Sequence, residues 1–180
     1  NNYEVYSMPQ ALNKFVLNLD EKSDNRLYTG FKRLDYNIGG FSPGDLIVLS
    51  ARPSMGKSTF AFWIANKLAK EGKKVLFFNL EMSVDSLMAK LISAEARIDN
   101  MRLREKNISV NDVKEINEAH QRLVESNLHI VDAGSATTEK IYDISKNGYD
   151  IVFIDQLTKI RTTIKRDRKD LEIADITFSL

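Results

Sequence analysis

Two kinds of apolar pattern alternate along the 180 residues. In the first, apolar side chains recur every three or four positions, as expected of one face of a helix. Leu12, Phe15, Val16 and Leu19 do so over 7–20, with Pro9 suited to a first turn. Ala61, Ile64, Ala65 and Leu68 do so over 58–71, and Gly72 supplies a stop. Over 83–97 the inward positions are Leu87, Leu91 and Ile92. From about Ser109 a further helix carries Val113, Ile116, His120, Leu123 and Val124 on its face, and the Ser109 hydroxyl stands at capping-box spacing from Asp112. Thr138 opens a shorter helix with Ile141 and Ile144. In the second pattern the apolar residues are contiguous: LIVLS (46–50), VLFFNL (75–80), LHIVD (128–132) and YDIVFID (149–155). Short runs of this kind predict strands, and the β-branched run 46–50 predicts one buried on both faces. Strands and helices in alternation predict an α/β fold, a parallel sheet with right-handed crossovers and helices over its faces.

The first helix is followed by the polar stretch DEKSDNR, so its apolar stripe is expected to rest either on its own chain or on a neighbouring copy. A 43% hydrophobic share is enough for the core of one α/β domain, or of part of a larger one. Charges nearly cancel, 26 basic against 25 acidic, so any nucleic-acid contact must come from a local patch. One candidate is RTTIKRDRKD (161–170), read either as a solvated connection or as a loop touching DNA phosphate. With no cysteine, disulfides and thiolate zinc sites are excluded. His120 and His129 are too few for a histidine metal cluster and read as packing or surface residues, while Met82, Met88, Met101, Phe77 and Phe78 read as core. No run approaches the roughly 20 apolar residues of a membrane span, and a basic-then-apolar secretion pattern is missing, so a cytoplasmic protein without a membrane partner is expected. The chain opens on NNYEV and stops in mid-pattern on ITFSL, as expected of a piece of a longer polypeptide.

Between the run ending at Ser50 and the helix starting near Ser58 lies ARPSMGKS. Strand, glycine-containing loop and helix in this order make a phosphate loop, in which backbone N–H groups and the helix N-terminus converge on an anion. The expected nucleotide-binding residues are Ala51, Arg52, Pro53, Ser54, Met55, Gly56, Lys57, Ser58 and Thr59. Gly56 permits close backbone approach, Lys57 brings a mobile charge to the β and γ phosphates of ATP, and the Ser58 hydroxyl is a ligand for Mg²⁺. Ala51 stands where the motif usually has its first glycine, which requires a backbone conformation compatible with a Cβ. IVFID delivers Asp155 to the carboxyl end of a strand, the Walker B position for the second metal-site residue. At the end of the run 75–80, Glu81 reads either as a general base for the attacking water or as a solvated acid opening the next helix.

With their surroundings, these residues resemble the DnaB-type replicative helicases of the RecA-like ATPase superfamily. The similar blocks are TGFKRLDYNIGGFSPGDLIVLSARPSMGKSTFA, LEMS, AEARIDNMRLREKNIS and IVFID, covering most of residues 29–160. The resemblance implies a RecA-like P-loop core that ends, in this chain, soon after the Walker B strand. Residues 1–25 would be a linker helix and linker, and 26–180 the N-terminal portion of the ATPase domain. It implies an ATP-driven motor that, as a homo-hexamer, moves on single-stranded DNA and separates the duplex, with primase and a helicase loader as further partners. Lys57 and Glu81 are then catalytic, Ser58 and Asp155 hold the metal, and the first helix docks on the adjacent subunit. The family's DNA-binding loops, γ-phosphate-sensing glutamine and arginine finger lie further on, so residues 1–180 alone are expected to be a poor ATPase. After Asp155 the family generally has an aromatic residue and then, two positions on, a glutamine; here Gln156 and Thr158 stand there. Two other readings use the same motifs: a recombination or clock-type ATPase that assembles without unwinding, and a nucleotide-binding or loader-regulating module without turnover.

Overall fold

The computed structural model describes residues 4–20 and 25–161. The helices α1 (Met8–Asp20), α2 (Lys32–Ile38) and α3 (Lys57–Lys70) precede strand β1 (Val75–Asn79). Helices α4 (Val84–Ala96), α5 (Asn100–Arg104) and α6 (Val110–Val124) then lead to β2 (Leu128–Asp132). A two-residue strand β3 (Ala136–Thr137), helix α7 (Thr138–Ser145), β4 (Ile151–Asp155) and a second two-residue strand β5 (Ile160–Arg161) complete the order. Strands β2, β1 and β4 form a parallel sheet in that spatial order, with Asn79 level with Asp132 on one side and Asp155 on the other.

All five residues of central β1 are buried, and their alternation divides the core in two. Val75 and Phe77 face α3, where they meet Phe62, Ile64, Ala65 and Leu68; Leu76, Phe78 and Leu80 face the other way, onto Ile141 of α7 and Ile160. Each large apolar side chain so buried contributes about 1.5–3 kcal/mol. A third cluster, Ala96, Ile98 and Ala119, joins α4 to α6. Ahead of α3, residues 27–41 close a clasp. Leu27 and Phe41 exchange backbone hydrogen bonds at 2.9 and 2.8 Å, and Phe31 stacks on Phe60 of α3 at 5.0 Å and meets Trp63 at a tilt at 4.6 Å. Asp35 accepts from the Thr29 hydroxyl and from the Thr29 and Gly30 amides at 2.7–2.9 Å. Burial pushes the Asp35 carboxyl up, but these bonds and nearby Lys67 outweigh it and hold the group below its usual range.

Several expectations need correction. Residues 46–50 pair with no strand among the described residues, and Leu46, Ile47, Val48 and Leu49 are 43–61% exposed. An apolar run becomes a buried strand only when it has neighbours to pair with, and among the described residues 46–50 has none. The inward face of α6 is centred on Ala119, with Ile116 and Leu123 beside it; Val113, His120 and Val124 are exposed. Met101 is exposed rather than core. By contrast, α3, α4, α7 and the capping box of α6 stand where periodicity and capping chemistry put them. On α1, Leu12, Phe15 and Val16 are 55–61% exposed, so among the described residues nothing covers these three positions of the stripe. The Leu19 side chain and the basic segment from residue 162 onward lie outside the described residues.

Candidate nucleotide site

The loop 51–56 is exposed and turns sharply into α3. Its left-handed residues are Ser54 (φ +66°) and Gly56 (φ +84°). Ala51 is not one of them, so its methyl is accommodated without the strain that a left-handed backbone imposes on a Cβ. Apart from its chain neighbours, a Cβ on Gly56 would meet no atom of the described residues within 4 Å, so among these residues the demand for glycine is conformational. Gly56 is also the N-cap of α3 and supplies no side-chain cap; the first turn holds no acidic residue. Several backbone N–H groups at this helix start therefore have no partner from a capping side chain, and the positive end of the helix dipole faces out.

The sheet brings a carboxylate to this helix start. Lys57 Nζ lies 3.6 Å from Asp155 Oδ1 and donates to Gln156 Oε1 at 3.3 Å. Asp155 is buried at the carboxyl end of β4, and its carbonyl accepts from Leu80 N–H at 2.7 Å, which stitches the ends of β1 and β4 together. Ser58 is half-buried and Thr59 exposed on the first turn of α3; Arg52, Pro53, Ser54 and Met55 are exposed, with Arg52 O accepting from Met55 N at 3.3 Å. Glu81 is exposed two residues past Asn79, the register partner of Asp155, so both acids leave the same sheet edge. No hydrogen bond or ion pair joins Glu81 to Lys57 or Asp155 among the described residues.

Two members of the site were not foreseen. Gln156, whose sequence signal is only a departure from a family pattern, is a partner of Lys57. Asn79 grips the turn that carries Glu81, and its sole sequence signal is a polar residue closing the run VLFFN.

A family model, the DnaB-like helicase C terminal domain, matches residues 26–180. The chain belongs to that family. The replicative DNA helicase DnaB of Buchnera aphidicola subsp. Baizongia pistaciae is 32% identical over 173 residues, which cover 92% of this chain and 37% of the relative. A probable replicative DNA helicase of Trieres chinensis is 33% identical over 99% of this chain and 42% of its own length. For the DnaB of Haemophilus influenzae the figures are 33%, 84% and 34%. This DnaB-like chain thus spans well under half the length of these relatives. Among solved structures, the ATPase domain of G40P matches with a TM-score of 0.84 at 24% identity, over 98% of this chain and 66% of that one. A DnaB-like replicative helicase, solved with a view to its interactions with primase, matches with a TM-score of 0.84 at 23% identity, over 97% and 45%. The α/β, RecA-like fold with its parallel sheet flanked by helices is therefore that of DnaB-like ATPase domains. Among the described residues, no helix of this DnaB-like domain is long and apolar enough to cross a membrane.

Proposed function

We propose that this domain binds Mg²⁺–ATP at residues 51–59 and, in a ring of identical subunits, uses its hydrolysis to move along single-stranded DNA and unwind duplex at a replication fork. The observation that carries this is the approach of Lys57 Nζ to within 3.6 Å of Asp155 Oδ1 at a helix start left without a side-chain cap. A cation held beside a buried acid, over open amides, is the resting form of a phosphate grip. In the loaded site the Lys57 ammonium swings to the β and γ phosphates, while the amides around Gly56 bond their oxygens. Ser58 Oγ and Asp155 would hold Mg²⁺, which would supply charge to offset that developing on the phosphoryl oxygens. Magnesium in nucleotide sites keeps several waters and takes few protein ligands, so one hydroxyl and one carboxylate suit it. Glu81, leaving the sheet edge beside Asp155, accepts the proton of the attacking water.

The helicase reading is favoured over an assembling ATPase without unwinding by relatives named as replicative DNA helicases over 84–99% of the chain. In the ring, the exposed stripe of α1 (Leu12, Phe15 and Val16) covers an apolar surface of the next subunit. Primase, with which one of the structural relatives interacts, and a helicase loader are the further partners, and the cytoplasm is the compartment. The test is ATP turnover by the intact protein with and without single-stranded DNA, beside a forked-duplex unwinding assay. Stimulated turnover with unwinding is expected. Stimulation without unwinding would favour the assembling ATPase, and binding without turnover a regulatory module.

A further inference from the structure

Strand β1 ends in a polar residue that the fold buries completely: Asn79 is 1% exposed. Every polar group of its side chain is engaged. Nδ2 donates to Met82 O at 2.7 Å and to Asp132 Oδ1 at 3.2 Å, while Oδ1 accepts from Met82 N–H at 3.3 Å. Only one orientation of the amide satisfies both backbone groups of Met82, so the side chain is locked as well as buried. Its own carbonyl accepts from Ala133 N–H at 3.2 Å. Two residues separate Asn79 from Met82. Leu80 is fixed by its N–H bond to Asp155 O and by burial of its side chain. Glu81 is the exposed residue of the four, held on one side by Leu80 and on the other by the gripped Met82.

A buried amide is costly unless all its bonds are made; here two of the three are made to the turn itself, at Met82, and the third to Asp132 at the end of β2. We infer that Asn79, oriented by Asp132, is a positioning residue for Glu81: it fixes the turn by which the carboxylate leaves the same sheet edge as Asp155. The inference rests on Glu81 being the general base. Displacing such a group by about 1 Å can lower a rate ~100-fold without touching substrate binding.

Asn79→Leu keeps the branched shape at a somewhat larger volume and deletes both bonds to Met82 together with that to Asp132, and Asp132→Ala, at an exposed position, deletes the orienting acceptor while sparing the core. In the intact protein, single-turnover hydrolysis should fall ~100-fold in the first and about three- to tenfold in the second. Affinity for the magnesium complex of ATP-γ-S should stay within about twofold of the parent. The deciding readout is a cycle with Glu81→Gln. If Asn79 acts through Glu81, adding Asn79→Leu to Glu81→Gln costs no further rate; losses that multiply would overturn the inference. Should Asn79→Leu fail to fold, the same cycle with Asp132→Ala decides in the same way. Parent-like hydrolysis in the Asn79 and Asp132 variants, with Glu81→Gln inactive, would overturn positioning alone. Parent-like hydrolysis in Glu81→Gln would remove the general base, and positioning with it.

Discussion

Helices α6 and α3 begin in opposite ways. The N-terminus of α6 is finished from within the chain: Ser109 Oγ accepts from Asp112 N–H at 3.2 Å, and the Asp112 carboxylate accepts from Ser109 N–H at 2.7 Å. Helices α4 and α7 follow suit, with Ser83 and Thr137 as caps and Asp85 and Glu139 in their first turns. Even α2, which has no cap bond, carries Asp35 in its first turn. By contrast, α3 starts on a left-handed glycine without a cap, has no acid in its first turn and places a lysine there instead. At the starts of α4, α6 and α7, side chains supply acceptors that the amides lack. At α3 they are withheld and a positive charge is added, which stabilises the helix less and favours an external anion.

The sharpest way to separate the two helix starts is to damage each and read both chemistry and stability. Glu81→Gln, at the sheet edge that carries Asp155, should lower hydrolysis by ~10²–10⁴-fold with nucleotide affinity and thermal midpoint near the parent values; full activity would remove Glu81 from the chemistry. Asp155→Asn should make ATP affinity insensitive to magnesium, so that adding EDTA changes it less than about twofold, against a loss of about tenfold or more in the parent. An unchanged magnesium dependence would take Asp155 out of the metal site. At the closed start, Ser109→Ala should cost about 1 kcal/mol in urea unfolding and leave ATP binding as it was. Any loss of nucleotide affinity there would blur the distinction between the two helices.

The smallest effect is a pH dependence confined to the closed start. The Ser109 amide and then its hydroxyl hold the Asp112 carboxyl below its usual value, with Arg102 adding to them against a smaller opposing push from burial. A carboxyl depressed in the folded state stabilises it above the unfolded pKa of about 4, and that contribution is lost as pH falls through the lower folded value. Asp112→Asn should therefore be less stable than the parent at pH 7, the gap closing as pH drops below about 4. A constant gap across that range would mean that the cap does not depend on the charge.

Much of this contrast was legible in the chain. The capping box of α6 is a local device, written within four consecutive residues, and the loop ARPSMGKS is equally local. Long periodic stretches gave α3 and α4, and contiguous apolar runs gave β1, β2 and β4. What escaped was non-local or short. Pairing of 46–50 depends on neighbours that its own residues do not specify. Helix α2, with seven residues, and α5, with five, are too short for periodicity to show. On α6, counting His120 and Val124 as inward displaced the stripe by one residue, about 100° of helix, from the true centre at Ala119. Within the site, Lys57 and Asp155 were readable as motif members, but their proximity was not, nor was the use of Gln156 and Asn79, because each acts on a residue brought near by the fold.

The most direct measurement is calorimetric titration of the intact protein with the magnesium complex of a non-hydrolysable ATP analogue, parent beside Lys57→Ala. If the uncapped start of α3 and the Lys57 ammonium grip the phosphates together, the parent binds saturably and the variant about 100-fold more weakly or not at all. Equal affinity in the two proteins would contradict the account.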